Sequence, residues 1–277
     1  MNLKPILKWA GGKTQILPEI TKVIKKYKLN GHRYFEPFVG AGSVFMQLAH
    51  DNISINDYNE ELINIYIQIK DNPQQLIELL KEHEQKHSKE YFYAVRSWDR
   101  SDELKKKNNL ERAARTIYLN RTCYNGLYRV NANGEFNVPY GRYKKPNIVQ
   151  EEKIKELNKY LNSADLTITC GDFEQAVTFA KKGDVVYFDP PYDYDTTGFS
   201  NYTEIGFSHK DLNRLKNACD KLIEKGCHII LSNNNTKYVN ELFSGTRYVI
   251  KKITARRMIN CDGEKRIDAK EVIIYDR

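Results

Sequence analysis

The stretch that most constrains this chain is Val185-Val186-Tyr187-Phe188 followed by Asp189-Pro190-Pro191-Tyr192. Four successive apolar residues, β-branched or aromatic, predict a short buried strand. The prolines end it, because neither can donate a backbone hydrogen bond and both fix φ. In open α/β sheets, ligands bind where strands end. A carboxylate, a rigid turn and an aromatic ring are therefore set at a binding edge. The turn's carbonyls can point outward as acceptors. Asp189 adds a charged acceptor, and Tyr192 offers a flat face to a ring. An exocyclic amino group on a heterocycle suits that set, although its lone pair is delocalised and poorly nucleophilic. Hydrogen bonds from its two N–H groups to Asp189 and the Pro190 carbonyl favour a more pyramidal nitrogen, ready for in-line attack on a methyl group. The plainer reading is a strand ending in a capping Asp and a proline turn.

The 277 residues suggest one core with an inserted or appended lobe. Lys and Arg exceed Asp and Glu to give a net charge of +8, which points to a polyanionic partner. No apolar run approaches the ~20 residues that span a bilayer, so no membrane partner is expected. Met1 to Trp9 lacks a signal-peptide core, so secretion is not expected and a cytoplasmic location is. The five cysteines are scattered and odd in number, which suggests reduced, mainly structural thiols. None follows a proline, against a cytosine-C5 mechanism with a Pro-Cys nucleophile. No zinc spacing is present, and no metal is expected.

Two further strand ends carry ligand-type residues. An apolar strand runs through Tyr34-Phe35-Glu36 into Pro37-Phe38-Val39-Gly40-Ala41-Gly42, then a helical pattern over Val44 to Ala49. Glycines at such a turn let a ligand lie against the backbone. The third glycine of a dinucleotide fingerprint is missing. Ile53-Ser54-Ile55-Asn56-Asp57 is a second strand, and an acid at its end can accept both ribose hydroxyls. A nucleoside site without a phosphate-binding feature suits S-adenosyl-L-methionine (AdoMet) better than NAD. Lys8-Trp9-Ala10-Gly11-Gly12-Lys13 is a further loop suited to close ligand approach, although not a P-loop. Leu166 to Cys170 is a strand leading to Asp172 and Phe173. Asp172 can accept from an adenine amino group while Phe173 stacks on the ring; alternatively they are a helix cap and a core aromatic.

Helices are expected over Gln15–Tyr27, Glu60–Lys70, Gln74–Lys86, Leu110–Thr122 and Ser208–Lys225. Strands are expected at His228–Leu231, Tyr248–Ile253 and Glu271–Tyr275, the last two as an antiparallel pair. From Tyr91 the pattern turns basic and aromatic. Arg112, Arg115 and Arg121 lie on the Leu110 helix. Beyond it, Tyr124-Asn125-Gly126-Leu127-Tyr128-Arg129 and Gly134 to Pro146 interleave Asn, Arg, Tyr and Lys with turn residues. Arg can read guanine, Asn can read adenine, lysines meet phosphates, and a Tyr can wedge into a base step. A solvated basic hairpin is the alternative. The polar segment Asp193 to Phe207 suits a lid over a flipped base, and Ser232-Asn233-Asn234-Asn235 closes a late strand.

Taken together, these motifs resemble the Dam-type DNA adenine-N6 methyltransferases, with the DpnII-type modification enzymes nearest. The resemblance covers nearly the whole chain. It rests on Lys8–Lys13, Glu36–Gly42, Asn56-Asp57, Tyr124–Arg129, Gly134–Pro146, Gly171–Phe173 and Asp189–Tyr192, in that order. It implies an α/β fold: a Rossmann-like methyltransferase sheet with helices on both faces, plus a smaller, mainly helical target-recognition lobe with a β-hairpin. Residues 1–57 and 158–277 would form the catalytic domain and 58–157 the recognition domain. AdoMet would be the donor and duplex DNA the partner, with GATC the target. A restriction endonuclease could share the system without a stable complex.

By matching position, Trp9, Lys13, Phe38, Gly40, Gly42, Asp57, Asp172, Phe173 and Asp189 would hold the cofactor. Asp189, Pro190, Pro191 and Tyr192 would be catalytic. Lys8, Tyr124, Asn125, Leu127, Arg129, Pro139, Arg142 and Tyr143 would touch DNA. The chain departs from the family in a shorter loop after Tyr192, affecting base-capture contacts at Ser200, Asn201 and Tyr202. It also departs in a loosely matching basic loop over Thr254 to Lys270. Three alternatives stand beside this reading: an aminomethyltransferase acting on RNA adenine or protein glutamine, a non-catalytic DNA-binding relative, and an oxidoreductase.

Overall fold

A computed structural model describes residues 3–9, 13, 16–194, 207–256 and 268–277. Residues 195–206 of the expected lid, with Ser200, Asn201 and Tyr202, and most of the late basic loop lie outside the described residues. So do Ala10, Gly11 and Gly12.

The strands are β1 (Tyr34–Glu36), β2 (Asn52–Asp57), β3 (Asp165–Cys170), β4 (Val185–Phe188), β5 (His228–Asn234), β6 (Tyr248–Arg256) and β7 (Asp268–Asp276). They form a seven-stranded sheet in the order β3-β2-β1-β4-β5-β7-β6. β1 pairs in parallel with β2 and β4, and β4 pairs in parallel with β5, whereas β7 is antiparallel to β5 and β6. From β1 the chain builds outward to β2 on one side and later to β4 on the other, so the strand order reverses there. That reversal makes the carboxyl ends of β1 and β4 the place where such a sheet receives a ligand.

By packing, the chain divides into two compact units. These follow contact density, whereas the division expected from sequence is one of role.

The first unit comprises Met1–Gly12, Gly40–Asp51 and Asp57–Gly171. It contains α2 (Ser43–Leu48), α3 (Glu60–Asp71), α4 (Pro73–Gln85), α5 (Lys89–Arg96), α6 (Glu103–Lys106), α7 (Asn109–Thr122) and α8 (Glu151–Ser163). Their ends are written locally. Asn59 caps α3 by accepting from the Leu62 amide, Pro73 opens α4, and Asn108 and Glu111 form a capping box on α7. In place of the expected β-hairpin are two isolated antiparallel bridges, Cys123 to Tyr140 and Val130 to Phe136, and beside the second the Asn137 amide donates to the Arg129 carbonyl.

The second unit comprises Lys13–Val39, Asn52–Asn56 and Asp172–Arg277. Its helices are α1 (Leu17–Ile24), α9 (Phe173–Ala176), α10 (His209–Glu224) and α11 (Lys237–Leu242). All four residues of β4 are buried, as a strand flanked by partners and covered on both faces requires. Phe188, Leu231, Leu215, Phe243 and Ile274 share one core cluster.

Candidate active site and DNA-reading surface

Asp189 follows β4 directly, and its surroundings lie in the second unit. The Lys13 ammonium is 2.8 Å from Asp189 Oδ1 and also sits over the Tyr192 ring, 4.2 Å from its centre. The Ser232 hydroxyl, from β5, donates to the same Oδ1 at 2.7 Å. Tyr187 OH lies 2.8 Å from Ser232 Oγ. Tyr192 OH donates to Glu271 on β7 at 3.1 Å, which anchors the far end of its ring. Burial raises the Asp189 pKa, and the Lys13 charge and the Lys13 and Ser232 hydrogen bonds only partly offset that rise. Under β1, the Tyr34 hydroxyl donates to Glu36 at 3.0 Å, so the buried Glu36 carboxylate has a donor.

Phe38 follows β1 and lies 5.4 Å from the Phe173 ring, with Phe188 and Phe207 edge-on to it. Asp172 occupies the plainer of its two expected roles, with Oδ1 accepting from the Glu174 amide as the cap of α9. Its Oδ2 meets Arg214 at 2.9 Å, and Phe173 is in the core.

In the first unit, Asp57 ends β2. Its Oδ2 accepts from the Gly40 amide at 3.0 Å and its Oδ1 from the Asn59 amide at 3.0 Å. Charge-assisted bonds from two amides hold the carboxylate in one orientation. Gly40 and Gly42 have φ of 49° and 76°, and a Cβ on Gly40 would lie 3.3 Å from the Trp9 ring. Trp9 stacks on Tyr128 at 4.9 Å. The strand-to-helix turn therefore stays bare beside an aromatic wall, a cradle suited to a nucleoside. With Asp57 as a ribose acceptor, these residues fit AdoMet.

The expected DNA-contact residues also gather in the first unit. Tyr124, Asn125, Arg129, Pro139, Arg142 and Lys8 are exposed, and Leu127 and Tyr143 are half-buried. The Tyr124 amide donates to the Pro139 carbonyl, joining the two motif segments. The Lys8 ammonium lies 4.8 Å from the Tyr143 ring centre. Asn120 clamps the loop that carries Lys8: it accepts from the Lys8 amide and donates to the Lys8 and Gly126 carbonyls. The α7 arginines hold structure together. Arg115 is buried against Asp99 at 2.7 Å, Arg112 pairs with Glu61, and Arg121 donates to the Asn147 carbonyl.

Ser232, Glu271 and Asn120 have no assigned role in the sequence reading. Ser232 was visible as the first polar residue after an apolar strand. Its nearness to Asp189 depends on the Phe188–Leu231 register, which local sequence does not set.

Residues 9–259 match the family model of the D12 class N6 adenine-specific DNA methyltransferases. The chain belongs to that family. It is 46% identical to the Type II methyltransferase M1.LlaDCHI of Lactococcus lactis subsp. cremoris, over 99% of this chain and 95% of that protein. It is 42% identical to the Type II methyltransferase M.MjaIII of Methanocaldococcus jannaschii, over 97% and 96%. A DNA adenine methylase of Haemophilus influenzae is 35% identical over 98% and 92%. The enzyme is an adenine-specific DNA methyltransferase, and its sheet is the expected Rossmann-like α/β architecture.

Proposed function

We propose that this methyltransferase uses AdoMet to methylate N6 of an adenine extruded from duplex DNA, within GATC. The observation that carries the reading is the state of Asp189. Its Oδ1 is committed to Lys13 and Ser232, while Oδ2 takes no hydrogen bond among the described residues. An oriented acceptor at the ligand edge is what an aromatic amino group requires.

AdoMet, when bound, supplies a methyl group on a sulfonium leaving group. The adenine amino group donates to Asp189 Oδ2 and the Pro190 carbonyl, which localises the lone pair on N6. Asp189 and Pro190 would thus hold N6 with its lone pair available to the methyl group that AdoMet would supply, and N6 would give up one proton to solvent. Alignment and fixed acceptors carry the step. Tyr192 stacks on the base and partly offsets the few kcal/mol that extrusion costs.

Trp9, Lys13, Phe38, Gly40, Gly42, Asp57, Asp172 and Phe173 would hold the cofactor, Asp57 by accepting from the ribose hydroxyls beside its two amides. Residues 58–157 would read the target and 1–57 with 158–277 would carry the chemistry. Arg129 and Asn125 suit base edges, while Lys8, Leu127, Pro139, Arg142 and Tyr143 complete the surface that Tyr124 would wedge open. The Type II names of two relatives support a role beside a restriction endonuclease in the cytoplasm.

Tritium transfer from labelled AdoMet to a duplex with one GATC, and to the same duplex carrying N6-methyladenine on both strands, tests the reading. Label should enter only the unmethylated duplex, and Asp189→Ala should abolish it. Transfer instead to RNA or protein acceptors, or equal transfer by Asp189→Ala, would overturn it.

A further inference from the structure

We propose that the end of β5, and Ser232 above all, is the positioning element of the Asp-Pro-Pro-Tyr turn, committing one Asp189 oxygen so that the other faces the substrate amino group. The proposal rests on the role given to Asp189 above.

The turn cannot hold itself. Pro190 and Pro191 have no N–H, so two successive residues contribute no backbone donor. Its two ends are instead tied to consecutive residues of β5, whose side chains point to opposite faces of the sheet. On one face, Ser232 donates to Asp189 Oδ1 at 2.7 Å. From the next residue, Asn233 Oδ1 accepts from the Asp193 amide at 2.9 Å. Asn234 then donates to the Asp193 carbonyl and Thr236 to its carboxylate.

A serine hydroxyl has a single proton. Because Ser232 gives it to Asp189, the bond at 2.8 Å to Tyr187 must run from the tyrosine hydroxyl to Ser232 Oγ. The result is a directed relay, Tyr187 to Ser232 to Asp189, in which two buried hydroxyls fix the carboxylate's rotation. Ser232 and Tyr187 are both fully buried, so no water competes for these bonds.

Among the described residues, the other charged or titratable groups around the carboxylate are Lys13, Tyr187, Tyr192 with Glu271 behind it, and the Tyr34–Glu36 pair of β1. Lys13, together with the Ser232 hydroxyl, favours the ionised form of Asp189.

The experiment compares Ser232→Ala, Ser232→Thr, Tyr187→Phe, Asp189→Asn and wild type. It reads AdoMet binding and single-turnover methylation at saturating AdoMet across pH. Ser232→Ala should keep AdoMet binding, lose roughly tenfold or more in rate, and show an acid limb moved up by about one pH unit. The sign follows from losing a donor that stabilises the charged carboxylate. Tyr187→Phe should shift in the same direction by less, and Ser232→Thr should restore the wild-type limb. Wild-type rate and limb in both Ser232→Ala and Tyr187→Phe would overturn the proposal. So would an equal fall in the alanine and threonine variants with the limb unmoved. Should Ser232→Ala fail to fold, an unmoved limb in the isosteric Tyr187→Phe variant would overturn it alone. Wild-type turnover by Asp189→Asn is a separate result, which removes the underlying role of Asp189 instead.

Discussion

Replacing Gly126 by alanine tests the link between the recognition turn and Lys8. Gly126 has φ of 65°, and a Cβ there would lie 2.4 Å from Lys8 Cδ and 2.5 Å from Lys8 Cβ. The left-handed conformation alone costs an alanine about 1–2 kcal/mol. The Lys8 backbone cannot recede, because Asn120 holds its amide at 2.9 Å and its carbonyl at 2.6 Å. Swinging the lysine stem relieves the contact with Cδ but not the one with Cβ, so the Gly126 turn must also shift, and both changes lift the ammonium from its place over Tyr143. A base-edge contact contributes about 1–3 kcal/mol of discrimination, so, with Lys8 at the recognition site as proposed, displacing it should relax selectivity roughly ten- to hundredfold at one base pair. The assay is kcat/KM on duplexes in which each GATC base pair is replaced in turn, with a denaturation midpoint measured in parallel. Gly126→Ala and Lys8→Ala should lose selectivity at the same position, and the double variant should lose little more. Full selectivity in Gly126→Ala, beside a clear loss in Lys8→Ala, would refute the steric link.

Three other outcomes follow from the same geometry. Arg115→Ala should cost about 1–3 kcal/mol in urea unfolding, because Asp99 keeps Arg100 and the Phe136 amide but loses its buried partner, and the Val95 and Arg96 carbonyls lose their donor; pairing it with Asp99→Asn should recover part of that loss. His83 is buried against Tyr91 and Tyr118, and burial lowers its pKa from 6.5 to about 4. The unfolded chain therefore binds a proton that the native chain resists, so stability falls as pH drops from 6.5 to about 4, by about 3 kcal/mol in all. His83→Gln should flatten that dependence in a pH series of melting curves. Asp57→Ala should raise the AdoMet Kd by roughly ten- to hundredfold in calorimetry, since it would remove the proposed acceptor of the ribose hydroxyls; unchanged affinity would exclude that contact.

Local pattern located the elements. β4 spans the expected Val185–Phe188, and α7 and α10 fall within a residue of expectation because Asn108 and Ser208 are strong caps. The motif residues Asp57, Asp189 and Tyr192 were legible for a related reason: strand ends are written in adjacent residues, and so is the chemistry placed on them. Pairing decided the rest. β5 continues past Leu231 through Ser232, Asn233 and Asn234, three polar residues whose backbones find partners at Ile273, Val272 and Glu271 of β7. β6 and β7 likewise run longer than their apolar centres because each supplies the other's hydrogen bonds. The sequence places Arg115 in a basic, aromatic stretch, yet it is an internal strut, since its partner Asp99 comes from another helical segment. Sequence alone thus determined the strand ends and which polar residues stand on them. Only the tertiary structure decided which Asp189 oxygen is held and by whom, because Lys13, Ser232 and Asp189 are far apart along the chain and meet only through the fold.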